Sequence, residues 1–143
     1  HSFPTRRSSD LFAKEKLQKK NPNAKIMLHS CGAVSSFLPD WIDMKLDILD
    51  PIQPKAKGMD PFKLKAAFGE KLTFHGGIDS QHVLPFGTIE EVREHTRKYI
   101  KALAPGGGFI CAPVHNVQGD VPPENLVAMR DAVEEFGYYP INL

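Results

Sequence analysis

The chain is poor in the features that announce a location or a scaffold. It has only two cysteines in 143 residues, too few for a disulfide framework. No segment carries the charged, apolar and small-residue parts of a secretory signal. Together these absences predict a reducing, cytoplasmic setting. No apolar run approaches the ~20 residues that cross a bilayer, so no membrane partner is expected. One tryptophan and a formal net charge of +1 leave no basic, aromatic-studded surface for nucleic acid. No Gly-x-Gly-x-x-Gly follows an apolar run, which weakens a dinucleotide-binding reading.

Residues 1–11, from His1 to Leu11, match one reading frame of a common sequencing-library adapter throughout. They are expected to be a non-native artefact, disordered, with the genuine domain covering residues 12–143. Without Arg6, Arg7 and Asp10 the basic and acidic residues balance one for one. The lysine-rich run from Lys14 to Lys20 then reads as the solvated end of a helix.

What remains alternates regularly. A helix tail over residues 12–20 closes at Asn21-Pro22-Asn23, and an apolar strand follows over residues 24–30. A helix near residues 36–44 pairs Phe37 with Trp41 and Leu38 with Ile42 at i,i+4 spacing. A second strand over residues 46–49 ends at Asp50-Pro51. Asp60-Pro61 then supplies an N-cap and a first-turn proline to a helix that Gly69 is expected to close in a left-handed conformation. The third strand, residues 71–75, runs into Gly76-Gly77. Thr88 and Glu91 form a capping box for a helix whose inner face is Val92, Tyr99, Ile100 and Leu103. The fourth strand, residues 109–112, precedes a helix opened by Pro122-Pro123 and bearing Leu126, Val127, Met129, Val133 and Phe136.

Short apolar strands alternating with helices predict a parallel sheet covered by helices. The polar residues decide between a barrel and a doubly wound sheet. His29 and Cys31, Asp50 and Gln53, His75 and Asp79, and His115 and Asn116 all stand at or just beyond successive strand ends. Barrels of the (β/α)8 class build their sites there, from several strands at once. Four βα units make half of such a barrel, so the chain is expected to be the C-terminal half of a (β/α)8 TIM barrel, lacking its N-terminal half. His29 and Cys31 are the pair with metal chemistry. Two residues apart on a strand, they point to one side about 6–7 Å apart along it, and imidazole and thiolate together suit tetrahedral zinc. The alternative for such a pair is a buried cysteine beside a hydrogen-bonded histidine.

Several stretches in order make a specific resemblance. Leu28-His29-Ser30-Cys31-Gly32, the run from Asp47 to Pro54, and Gly58-Met59-Asp60-Pro61 resemble the uroporphyrinogen decarboxylase superfamily. So do the runs from Leu72 to Asp79, from Gly87 to Arg93, and from Ala112 to Asn116 through Asn125. The likeness covers residues 12–141. It implies one of two chemistries. The namesake enzymes remove acetate carboxyls from a porphyrinogen in porphyrin and haem biosynthesis, without metal or organic cofactor. A second branch moves a methyl group between a corrinoid and a thiol-type acceptor, with zinc on a His-x-Cys pair and a late third ligand.

The resemblance places the zinc pair on His29 and Cys31. Its third ligand, ten residues before Asn125, falls on His115, where that branch has cysteine and the decarboxylases have histidine. Cys111 is the alternative third ligand. The leading expectation is therefore a fragment of a zinc-dependent methyltransferase, acting on a small molecule or a corrinoid protein. The rival within enzymes is a metal-free decarboxylase, and a third reading is an inactive truncated product. His115 and Asp79 are the catalytic candidates; Gln53, His75 and Asn116 are the candidates for substrate contact. Asp79 is equally read as a loop carboxylate, and His82 and His95 are read as surface residues.

Overall fold

The computed structural model describes residues 14–143; the proposed artefact over residues 1–11 lies outside the described residues. The described chain opens in a helix, α1, over residues 14–20, followed by β1 (Met27–His29). A 3-10 turn (Ser35–Phe37) leads into α2 (Leu38–Asp43), then β2 (Ile48–Ile52) and α3 (Pro61–Phe68). Next come β3 (Thr73–Ile78), the short α4 (Val83–Phe86) and the long α5 (Ile89–Leu103). The last elements are β4 (Phe109–Pro113) and α6 (Pro123–Phe136).

All four strands are parallel, in the spatial order β1-β2-β3-β4. Parallel crossovers are right-handed. A sheet that adds each strand on the same side therefore puts every crossover helix on one face. A doubly wound sheet would reverse direction and cover both. This sheet has one covered face and one open face, which is the arrangement of part of a TIM barrel.

The covered face is the core. Leu28 pairs with Leu49, Leu49 with Phe74 and Phe74 with Phe109. Leu49 and Phe74 are fully buried and pack in one cluster with Leu38, Leu64, Val92 and Leu103 from the helices. The next row belongs to the other face: His29 pairs with Asp50, and His75 with Ile110. There Met27 and Ile110 remain 45% and 42% exposed.

Local chemistry accounts for most boundaries. Asp60 Oδ1 accepts from the Lys63 backbone N–H at 2.9 Å, and the Thr88–Glu91 capping box is complete in both directions. Phe37 stacks on Trp41 at 5.8 Å between ring centroids. Val92, Tyr99, Ile100 and Leu103 face inward, as expected.

Several expectations are corrected. Gly69 closes α3 at φ −62, right-handed, because its N–H continues the helix ladder to Lys65 O. Strands β2 and β3 extend past their expected ends, through Pro51 and through Gly76-Gly77. Proline, having no N–H to give, is accommodated by a register shift between Leu49 and Ile52. Gly77, at φ +97, lies where a Cβ would stand 2.4 Å from the Tyr99 ring, so α5 packs directly on backbone. On α6 Leu126 and Met129 pack partly buried against the core and Val127 is 45% exposed, while the buried residues are Asn125, Ala128 and Ala132. These small side chains bring α6 close to α5, with Arg93 and Arg97 over the Phe136 ring. Finally, Lys14 is no solvated helix end. Its ammonium bonds Asp47 Oδ2 at 2.7 Å and Lys45 O at 2.6 Å, pinning α1 to the sheet. Burial raises the Asp47 pKa, but the bonds from Lys14 and the Ile26 N–H and the charge of Lys25 outweigh it and hold the carboxyl below its usual range.

Candidate functional site

The open face carries a continuous polar chain. Cys31 Sγ stands 3.4 Å from His29 Nε2, and His29 Nδ1 stands 2.6 Å from Asp50 Oδ2. The other carboxylate oxygen, Asp50 Oδ1, is 2.7 Å from His75 Nδ1. His115 approaches the same imidazole from the end of β4, its ring edge-on to His29 with centroids 6.1 Å apart. Cys31, Asp50 and His115 thus converge on His29, and His75 joins them through Asp50.

The backbone explains why. His29 is the last residue of β1 and Asp50 is its register partner on β2. Ser30 N–H donates to Asp50 O at 2.6 Å, so the two strands are tied just beyond that pair. Beyond Cys31 the chain turns at Gly32, φ +95, whose N–H donates to Gln53 Oε1 at 2.8 Å. Gln53 therefore restrains the turn that carries the thiol. Because β2 and β3 run on, Asp50 and His75 lie within strands rather than at their ends. Their side chains project from the sheet surface, whereas His29, Cys31, Gln53 and His115 come from a strand terminus or the loop beyond it.

Other candidates are placed elsewhere. Cys111 sits on the covered face, packed against the core beside Phe109, and burial pushes its thiol up to about 12. A thiol on the far side of the sheet from His29 does not serve as its co-ligand. Asp79 is 3% exposed and caps its own loop: Oδ1 accepts from the N–H groups of Gln81 and His82 at 2.8 and 3.0 Å. Asn116 is exposed, its carbonyl accepting from Gln118. His82 is exposed, as read. His95 is not a surface residue. Its Nε2 lies 3.1 Å from Gly77 O and 3.2 Å from Asp79 N, its ring lies against Tyr99, and burial lowers its pKa. The same burial, with Asp79 and Asp60 nearby, pushes Tyr99 up to about 12.

The donor chemistry of the pair suits zinc. Zn–S and Zn–N bonds of about 2.3 and 2.0 Å at a tetrahedral angle set sulfur and nitrogen about 3.5 Å apart, close to the 3.4 Å between Cys31 and His29. Asp50 on the far ring nitrogen is the usual partner of a ligating histidine. Two donors are not a complete site, and among the described residues no group of three His, Cys, Asp or Glu is placed to hold a metal ion. Metal-free, the same order of thiol, imidazole and carboxylate is that of a base-assisted thiol.

A family model described as Uroporphyrinogen decarboxylase (URO-D) matches residues 12–136. The chain belongs to the uroporphyrinogen decarboxylase family. Within it, one curated relative is the uroporphyrinogen decarboxylase of Psychromonas ingrahamii, 29% identical over 77 residues, 54% of this chain and 21% of that protein. A solved methyltransferase from Methanosarcina mazei superposes with a TM-score of 0.67 at 26% identity, covering 87% of this chain and 36% of that one. The chain thus spans about a fifth of the first URO-D relative and about a third of the second protein. Among the described residues no helix is long and apolar enough to cross a membrane.

Two features of the site escaped sequence reading. Asp50 stood among the strand-end residues without a role, although its register with His29 follows from pairing the two apolar runs. In the sequence Asn125 marks only a spacing from His115. It is 3% exposed, and its amide donates to Leu84 O and Gly87 O at 2.8 and 2.9 Å, fastening α6 to the turn between α4 and α5.

Proposed function

We propose that this chain is the C-terminal part of a URO-D-family methyltransferase that uses zinc to transfer a methyl group between a corrinoid and a thiol-type acceptor. The single observation that carries the reading is the His29 Nε2–Cys31 Sγ approach at 3.4 Å, with Asp50 on the other ring nitrogen. The likeness to the Methanosarcina mazei methyltransferase supports it. His29 and Cys31 would hold the ion. His115, whose ring already stands edge-on to His29, would complete three protein ligands by turning its exposed side chain. Zinc bound there would supply a Lewis acid that lowers the pKa of an incoming thiol.

The chain's own residues do the rest. Asp50 orients His29, Gln53 holds the Cys31 turn, and His75 borders the same open face. The acceptor would lie on that face, between this sheet and the missing strands of the barrel. The domain would run from about residue 12, with residues 1–11 foreign to it and a cytoplasmic enzyme as the parent.

Metal analysis of the full-length protein tests the reading. Stoichiometric zinc in the wild type, lost in Cys31→Ser and His29→Gln, is expected. The second reading, porphyrinogen decarboxylation with His115 touching substrate, is favoured by the Psychromonas ingrahamii relative. It predicts full decarboxylase activity in chelator with no metal bound, a result that would overturn the first.

A further inference from the structure

We infer that Asp50 is a positioning residue that fixes two imidazoles at once, holding both His29 and His75 as the Nδ1–H tautomer. A carboxylate has no proton to give; it only accepts. Its two oxygens are taken by two different rings, Oδ2 by His29 at 2.6 Å and Oδ1 by His75 at 2.7 Å. Each Nδ1 therefore carries a proton, and each Nε2 is left with a lone pair. An unrestrained imidazole can exchange those roles. Here neither ring can do so without losing a short, charge-assisted bond.

The clamp is itself well seated. Asp50 lies inside β2 in register with His29, its carbonyl accepts from Ser30 N–H at 2.6 Å, and its side chain is 15% exposed. The consequence differs for the two rings. His29 turns its Nε2 lone pair toward Cys31, ready to accept the thiol proton or to bind a metal ion; the metal half of this statement rests on the zinc reading above. His75 is left with an acceptor on the open face, suited to an N–H or O–H group of whatever binds there. A single carboxylate thus couples a metal- or thiol-facing imidazole to a ligand-facing one.

The tautomers can be read without activity or metal. Long-range 15N–1H correlation spectra of the full-length, metal-free protein, recorded where both rings are neutral, separate Nδ1–H from Nε2–H imidazoles. Single His29→Gln and His75→Gln variants assign the signals. Both rings are expected as Nδ1–H in the wild type. In Asp50→Asn at least one is expected to switch, because an amide offers one accepting oxygen and one donating nitrogen. Zinc affinity in Asp50→Asn is expected to fall about 10–100-fold, the usual cost of losing such a partner. An Nε2–H form at either ring in the wild type overturns the proposal, even if Asp50→Asn fails to fold. Spectra unchanged in a folded Asp50→Asn overturn it too, whatever happens to zinc. Two Nδ1–H rings in a protein that binds no zinc sustain the clamp and remove the metal reading instead.

Discussion

The two faces of the sheet are built from the same strands, residue by residue, yet obey different rules. On the covered face Leu28, Leu49, Phe74 and Phe109 make an apolar row, fully buried at its two central members. One position further along, His29, Asp50 and His75 make a hydrogen-bonded row facing outward. A period of two residues separates packing from chemistry. The two cysteines record the same divide: Cys111 is half-buried against the core, and Cys31 is exposed beside an imidazole.

The largest expected contrast is therefore between the thiols. With its pKa at about 12, Cys111 is thiolate in only about one molecule in ten thousand at pH 8. Cys31 should be labelled by a thiol reagent in the native protein, and Cys111 only after unfolding. Comparable rates at both in the native state would break the comparison. Next, Phe74→Ala should cost about 3–5 kcal/mol in denaturant unfolding, since a fully buried ring leaves a cavity. Ile110→Ala is the sharper test of the open face. At 42% exposed it should change the stability of the isolated chain by no more than about 0.5 kcal/mol. In the full-length protein, where that face would become barrel interior, the same change should cost about 2–5 kcal/mol. Equal effects in the two settings would argue that no further strands cover this face.

The smallest effect concerns His95, a polar group set into the covered side. Burial holds its pKa below the ordinary 6.5, so the unfolded chain takes up the proton first. Its contribution should be whole above pH 6.5 and decline as the pH falls through that value and down to the folded pKa. His95→Gln should flatten that part of the stability–pH profile.

The architecture was legible because periodicity and punctuation agree along most of the chain. Asp60-Pro61, Thr88 with Glu91, and the inner face of α5 each announce a helix by chemistry that the fold then uses. Strand ends were harder. Pro51 and Gly76-Gly77 carry the marks of terminators, but a sheet can absorb one missing donor by a shift of register, and glycines by close packing on backbone, Gly76 against Pro51 and Gly77 against Tyr99 of α5. This obscures Asp50: a residue placed beyond the end of its strand is given no register, whereas one inside β2 faces His29. The His29–Cys31 pair needed only alternation to be found. Assigning Cys111 to a face needed β4 to be in register with β3. The inward alanines of α6 carry too little hydrophobicity to mark a face until α5 is packed against them.

Asn125 gives the region around His115 its mechanical character. Val114 is buried and tied to Ile78 O at 2.9 Å; Val121 is buried, and Asn125 is fastened just inside α6. Residues 115–120 between them are all exposed. The segment is thus a short span slung between two anchored piers, with His115 hung next to the first. Its reach is set by six residues of slack rather than by diffusion of a free loop, so drawing His115 onto His29 would tighten the span and shield its amides. Hydrogen exchange along residues 115–120 is then a gauge of whether the site is filled, readable with no knowledge of what fills it.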